Sequence, residues 1–294
     1  SWVISPVLGG VIAAAFLALI KSRIIYREDK LAAARVWVPI LVAVMAGAFT
    51  TYLTVKGLKR LIAIDLPVAI LLGLLVALGT WAIARPLVAR RSEGLENRNR
   101  SLKVLFGLPL VLSAALLSFA HGANDVANAV GPLAAIVAVL ETATLSGAVA
   151  VPFWVMMIGA FGISFGLFLF GPKLIRMVGS QITKLNPMRA YCVALSAALT
   201  VIVASWLGLP VSSTHIAVGG VFGVGFFREW YMARRARKLH PAKPGKVIAR
   251  EERRRRRLVR RSHFMTIVAA WVITVPAAAL MSGVIFLVLE QLAP

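Results

Sequence analysis

The chain has 294 residues, of which 60% are hydrophobic and 15% charged, with a mean hydropathy of +0.85. A soluble domain is nearer half apolar and a quarter charged, so this composition excludes an ordinary water-soluble globule. The net charge is +22, from 33 basic and 11 acidic residues. A single cysteine, Cys192, excludes an internal disulfide and any cysteine-rich metal site, and it reads as a small packing residue.

The chain opens inside an apolar run, Ser1-Trp2-Val3-Ile4, with no Met and no charged region before residues 2–20. It therefore does not read as a signal peptide and is expected to be a piece whose preceding part is missing. A helix needs about 20 apolar residues to cross the hydrocarbon of a bilayer. Uncharged runs at 2–20, 36–55 and 66–84 meet that length and predict spanning helices. No Asp, Glu, Lys or Arg lies between Glu141 and Lys173 or between Arg261 and Glu290, which predicts further spans over about 148–170 and 264–289. Helices satisfy their own backbone hydrogen bonds, which lipid cannot do.

Two regions are too long for one crossing. Residues 190–227 carry no charge, and a single helix of that length would be about 57 Å long at 1.5 Å per residue. Gly208-Leu209-Pro210 interrupts them and predicts a helix, a break and a second helix, as a hairpin or re-entrant pair. Residues 104–140 pose the same problem. The expected break there is at His121-Gly122-Ala123-Asn124-Asp125, with a kink at Gly131-Pro132.

The charge sits between the apolar runs. The stretch from Arg228 to Arg261 holds 15 of the 33 basic residues, including Arg253 to Arg257. It reads as a solvated cytoplasmic loop under the positive-inside rule, in contact with anionic lipid headgroups. Its aromatic residues, Trp230 and Tyr231, stand together at its start and do not interleave with the later charge, so nucleic acid is not an expected partner. If loops 21–35, 85–103, 171–189 and 228–263 are cytoplasmic, parity leaves the C-terminus external. Lys56-Gly57-Leu58-Lys59-Arg60 is then an external basic loop, against the rule. The protein is expected to be a multi-pass integral protein of a plasma or inner membrane. A faint repeat links Trp2-Val3-Ile4-Ser5-Pro6 with Trp271-Val272-Ile273-Thr274-Val275-Pro276. Many transporters are built from such repeats.

Two polar motifs lie where lipid is expected. In His121-Gly122-Ala123-Asn124-Asp125-Val126-Ala127-Asn128-Ala129, Asp125 is the one acidic residue between Lys103 and Leu140. An ionisable group inside a membrane segment is costly and marks function. Asn124 and Asn128 stand one helical turn apart on one face. The carboxylate, the amide oxygens and carbonyls freed at a break suit a hard cation such as Na⁺, or Asp125 carries a proton. The alternative is that Asp125 simply N-caps the following helix. His121 reads as a hydrogen-bonded packing residue.

The second motif is Gly208-Leu209-Pro210-Val211-Ser212-Ser213-Thr214-His215. Three hydroxyls at the start of a helix, with its free N–H groups and positive dipole end, make an anion site. Ordinary serine capping is the alternative. Gly219, Gly220, Gly223 and Gly225 follow, a close-packing face for another helix.

Residues 121–129 and 208–215 strongly resemble the Pit-type inorganic phosphate transporter family, which includes bacterial phosphate permeases and the sodium–phosphate symporters of solute carrier family 20. The resemblance implies an all-α, polytopic transmembrane bundle with broken or re-entrant hairpins, one half of an inverted-repeat transporter. It implies that 1–20 is the last helix of a truncated first repeat, 21–103 linker helices and loops, and 104–294 the second repeat, with a basic cytoplasmic loop at 228–263. It assigns phosphate to Ser212, Ser213, Thr214 and Asp125, and the coupling cation to Asn124, Asp125 and Asn128. Ser213 stands where many members have Thr and keeps the hydroxyl. The implied function is secondary transport of inorganic phosphate driven by Na⁺ or H⁺, with no cofactor, no enzymatic activity and no metal beyond Na⁺. The implied partners are phosphate, membrane lipid, the missing N-terminal half and a second copy in a homodimer. Sulfate is the alternative substrate; a phosphate sensor and a membrane phosphoesterase are more distant readings.

Overall fold

The structure is a computed structural model that describes residues 4–57, 65–142, 151–176, 185–239 and 261–292. Every regular element among them is helical. In chain order these are α1 (Ile4–Ile20), α2 (Lys30–Tyr52), α3 (Leu66–Ser92), α4 (Asn99–Leu105), α5 (Gly107–Thr142), α6 (Phe153–Arg176), α7 (Pro187–Trp206), α8 (Ser213–Leu239) and α9 (Arg261–Leu292). Single π-helical turns, Lys21–Ile25 and Leu53–Gly57, extend α1 and α2. Seven of these helices are long and apolar enough to cross a membrane: α1, α2, α3, α5, α6, α7 and α9.

Capping sets the starts. The Asp29 carboxylate accepts from the Ala32 N–H at 2.9 Å and opens α2. Asn186 does the same for α7 by accepting from the Arg189 N–H at 3.0 Å, with Pro187 at the first helical position. Gly208 sets the end of α7. Its φ of +72° is open to glycine at little cost, and it lets the Leu209 N–H reach back to the Ala204 carbonyl at 2.9 Å. Pro210 then blocks continuation, so the predicted break at 208–210 is present.

The predicted break at 121–125 is absent. Helix α5 runs through it without interruption over Gly107–Thr142. One glycine costs a helix only about 1 kcal/mol, and nothing crowds Gly122 to demand another conformation. The loops are also shorter than the charge pattern suggests. Helix α8 continues through Arg228 to Leu239, and α3 continues through Arg85 to Ser92. Arg, Lys and Ala are good helix formers, so the charges end the apolar run but not the helix. The rest of the basic stretch, 240–260, and residues 58–60 of the short basic loop lie outside the described residues.

Helix α7 is the core of the bundle, with most of its length buried against α1, α5 and α8. Tyr191 is fully buried there, edge-on to Phe106 at 5.7 Å, and donates to the Leu41 carbonyl at 3.3 Å. Cys192 packs beside it in the same core. Helices α2 and α3 pair as a second layer, while α3, α6 and α9 present mostly exposed apolar side chains. The α1–α8 seam is a glycine contact. A Cβ at Gly219 would overlap the Pro6 carbonyl, and one at Gly223 would overlap that of Gly10. Gly220 faces α7 instead, close to Ser196 and Val193. The expected close-packing role thus holds for these three glycines.

Candidate functional site

The two motifs meet. The α7–α8 turn, Leu207–Ser212, passes beside the middle of α5, and two side chains of α5 hydrogen-bond to it. The Asn124 amide donates from Nδ2 to the Val211 carbonyl at 2.7 Å and to Oδ1 of Asp125 at 2.9 Å. The Asn128 amide donates to the same Val211 carbonyl at 3.2 Å. Asn124 is buried and Asn128 exposed. Their one-turn spacing, read from the sequence, is what lets both reach one acceptor. The carbonyl freed by a helix break therefore belongs to Val211 in the second motif, not to the first.

Asp125 lies far inside α5, so it is not a helix cap. Its carboxylate instead accepts from the Ser213 hydroxyl, with Oγ 3.1 Å from each of Oδ1 and Oδ2. One turn earlier, Nδ1 of His121 lies 3.2 Å from Asp125 Oδ2 and also hydrogen-bonds Ser213 Oγ. His121, Asp125 and Ser213 thus form a closed polar triangle. The sequence reads His121 as a hydrogen-bonded packing residue, and its hydrogen-bond partner is Ser213 of the other motif. Its four-residue offset from Asp125 was the available signal that both share a helix face.

The three hydroxyls have separate tasks. Ser212 caps α8: its carbonyl accepts from the Ile216 N–H at 3.1 Å, and its Oγ lies 3.4 Å from the His215 nitrogen. Ser213 is buried and held by Asp125 and His121. Thr214 is exposed. Capping, the alternative reading of this motif, applies to Ser212 and leaves Ser213 and Thr214 available.

The triangle stands between two spaces. On one side, His121, Ser213 and Thr214 line a mostly apolar cavity of about 460 Å³, which extends past Val193 and Ala190 to Leu185. On the other, Asp125, Asn128 and Ser212 line an open cleft of about 450 Å³ beside Pro210. No Lys or Arg is among the described residues that line either space. Ligands here meet hydroxyls, amides, one carboxylate and the N-terminus of α8.

A family model, "Phosphate transporter family", matches residues 1–282. The chain belongs to the phosphate transporter family. Among its relatives is a Helicobacter pylori protein named "Putative phosphate permease", 55% identical over 235 residues, which cover 78% of this chain and 44% of the relative. A protein of the same designation from Thermococcus kodakarensis is 34% identical over 292 residues, covering 98% of this chain and 64% of the relative. The fold is similar to the solved structure of a sodium-dependent phosphate transporter, with a TM-score of 0.81 and 31% identity over the whole of this chain and 66% of that one. The chain thus spans less than two thirds of the length of these relatives. In this chain the Asn-Asp motif and the Ser-Ser-Thr motif meet within a bundle whose described regular elements are all helical.

Proposed function

We propose that this chain is part of a secondary carrier of inorganic phosphate, driven by Na⁺ or H⁺, and that its two motifs form one substrate and coupling-ion site. The observation that carries this reading is the double hydrogen bond from Ser213 to Asp125, which joins the hydroxyl motif to the carboxylate motif. Ser212 and Thr214 donate to phosphate oxygens beside the N–H groups at the start of α8, and Ser213 does so when its hydroxyl turns from Asp125. Asp125 accepts a hydrogen bond from a protonated phosphate, which sulfate at neutral pH cannot offer. Asn124, Asp125 and Asn128 provide the oxygen atoms that a hard cation takes.

Charge balance supports a cation. Phosphate carries one or two negative charges at neutral pH, and a helix N-terminus supplies only about half a unit of positive charge. With no Lys or Arg among the described residues that line the two spaces, a co-transported cation supplies the rest. The sodium dependence named for the similar solved structure supports Na⁺ as that cation. The test is radiolabelled phosphate uptake by the full-length protein, with Na⁺ and pH varied separately and sulfate as competitor. Uptake that follows Na⁺ at fixed pH and resists sulfate supports the reading; hydrolysis of a phosphoester without uptake contradicts it.

A further inference from the structure

Lys21 follows the end of α1 and lies near charges of its own sign. The residue is 8% exposed. Nζ lies 4.3 Å from the ring centre of Tyr231 and 5.2 Å from that of Phe227. The charged side chains that act on it are Arg228, Arg189 and Arg235, all of its own sign. Among the described residues no carboxylate forms an ion pair with it. The rings offset part of the desolvation, but a buried cation surrounded by cations still requires an anion.

The aromatic shelf extends the cluster. Tyr26 stacks on Tyr231 at 5.5 Å, and the Arg235 guanidinium lies 4.5 Å over Tyr26. Phe227, beneath Lys21, also lines an apolar groove of about 720 Å³ formed by α1 and α8, with Val268 of α9 at its wall. Val7, Val11 and Phe226 line that groove and are exposed on the flank of the bundle. Phe227 therefore belongs to both features, a basic cluster and an apolar groove open on the flank of the bundle.

We propose that this seam binds one anionic phospholipid, with an acyl chain in the α1–α8 groove and the headgroup phosphate held by Lys21, Arg228 and Arg235. Free phosphate would satisfy the cations and leave the groove empty. Another apolar helix would fill the groove and leave the cations unpaired. A phospholipid carries both chemistries one headgroup apart. Aromatic residues with Lys and Arg at helix ends are also where headgroups lie in a bilayer.

The test is native mass spectrometry of the full-length protein in detergent, with added phosphatidylglycerol or phosphatidylcholine. Each cation near an anionic headgroup is worth about fivefold in affinity, so Arg235→Gln should weaken phosphatidylglycerol retention about fivefold and the Lys21→Gln, Arg235→Gln pair about thirtyfold. Arg235 is exposed, so its single variant retains the fold. Val11→Trp, which fills the groove from its open side, should displace the lipid while leaving every cation in place. Selective retention of phosphatidylglycerol that falls in these three variants supports the site. Equal retention of both lipids, retention unchanged in the variants, or displacement by millimolar inorganic phosphate overturns it. So does the absence of bound phosphatidylglycerol on the wild type, which would mean that another segment covers the groove.

Discussion

Ser213 and Asp125, 88 residues apart in sequence, are joined by hydrogen bonds of 3.1 Å to both carboxylate oxygens. The pair couples the start of α8 to the middle of α5. The coupling is testable as a double-mutant cycle on phosphate affinity in the full-length protein. Ser213→Ala should weaken binding by about 1.5–3 kcal/mol, the value of a hydrogen bond to a charged group. Combined with Asp125→Asn, the losses should fall short of additivity by about 0.5–3 kcal/mol. Strict additivity in equilibrium binding would show two independent sites.

Gly122→Ala tests the continuity of α5. Nothing lies within 4 Å of a Cβ built at Gly122, and the residue is helical. Alanine should be neutral or stabilise by about 0.5–1 kcal/mol, as for glycine in a helix interior. A thermal unfolding midpoint that drops sharply would instead place a turn at that position.

The α1–α8 seam predicts the opposite for Gly223. A side chain there meets the backbone of Gly10, which cannot move aside as a flexible side chain could. Gly223→Val should destabilise by more than the roughly 1–3 kcal/mol typical of overpacking. The readout is the yield of monodisperse protein, with Gly122→Ala as the tolerated control.

Topology gives a further test. The basic stretch 228–263 is expected on the cytoplasmic side. Cys192 is buried, so a Gly245→Cys variant carries the one accessible thiol expected. An impermeant maleimide added to intact cells should leave it unlabelled until the cells are opened. Efficient labelling from outside would invert the assignment.

Much of this fold is legible in the sequence because its determinants are local. The helix stop at 208–210 follows from a glycine at positive φ and a proline after it. The Gly219 and Gly223 spacing marks one helix face, and that face is where α1 packs. Other features depend on distant partners. A carboxylate in a membrane helix suggests a local break, yet Asp125 finds its partner in Ser213 from another helix. His121 reads as packing until the same contact is known. The helical length beyond Arg228 escapes a pattern based on apolar runs, since charged residues extend a helix as well as end one.

The central claim is that Asp125 couples cation to phosphate within a site it shares with the hydroxyl motif. It is tested most directly by the Asp125→Asn variant of the full-length protein. Concentrative uptake of labelled phosphate and equilibrium phosphate binding are measured side by side on the same preparation. The amide keeps the size of the carboxylate and an acceptor for Ser213, but it removes the charge that holds a cation. The account predicts that accumulation against a phosphate gradient is lost while binding is only weakened. Full concentrative uptake by the variant would contradict it and leave Asp125 a structural partner of Ser213 alone.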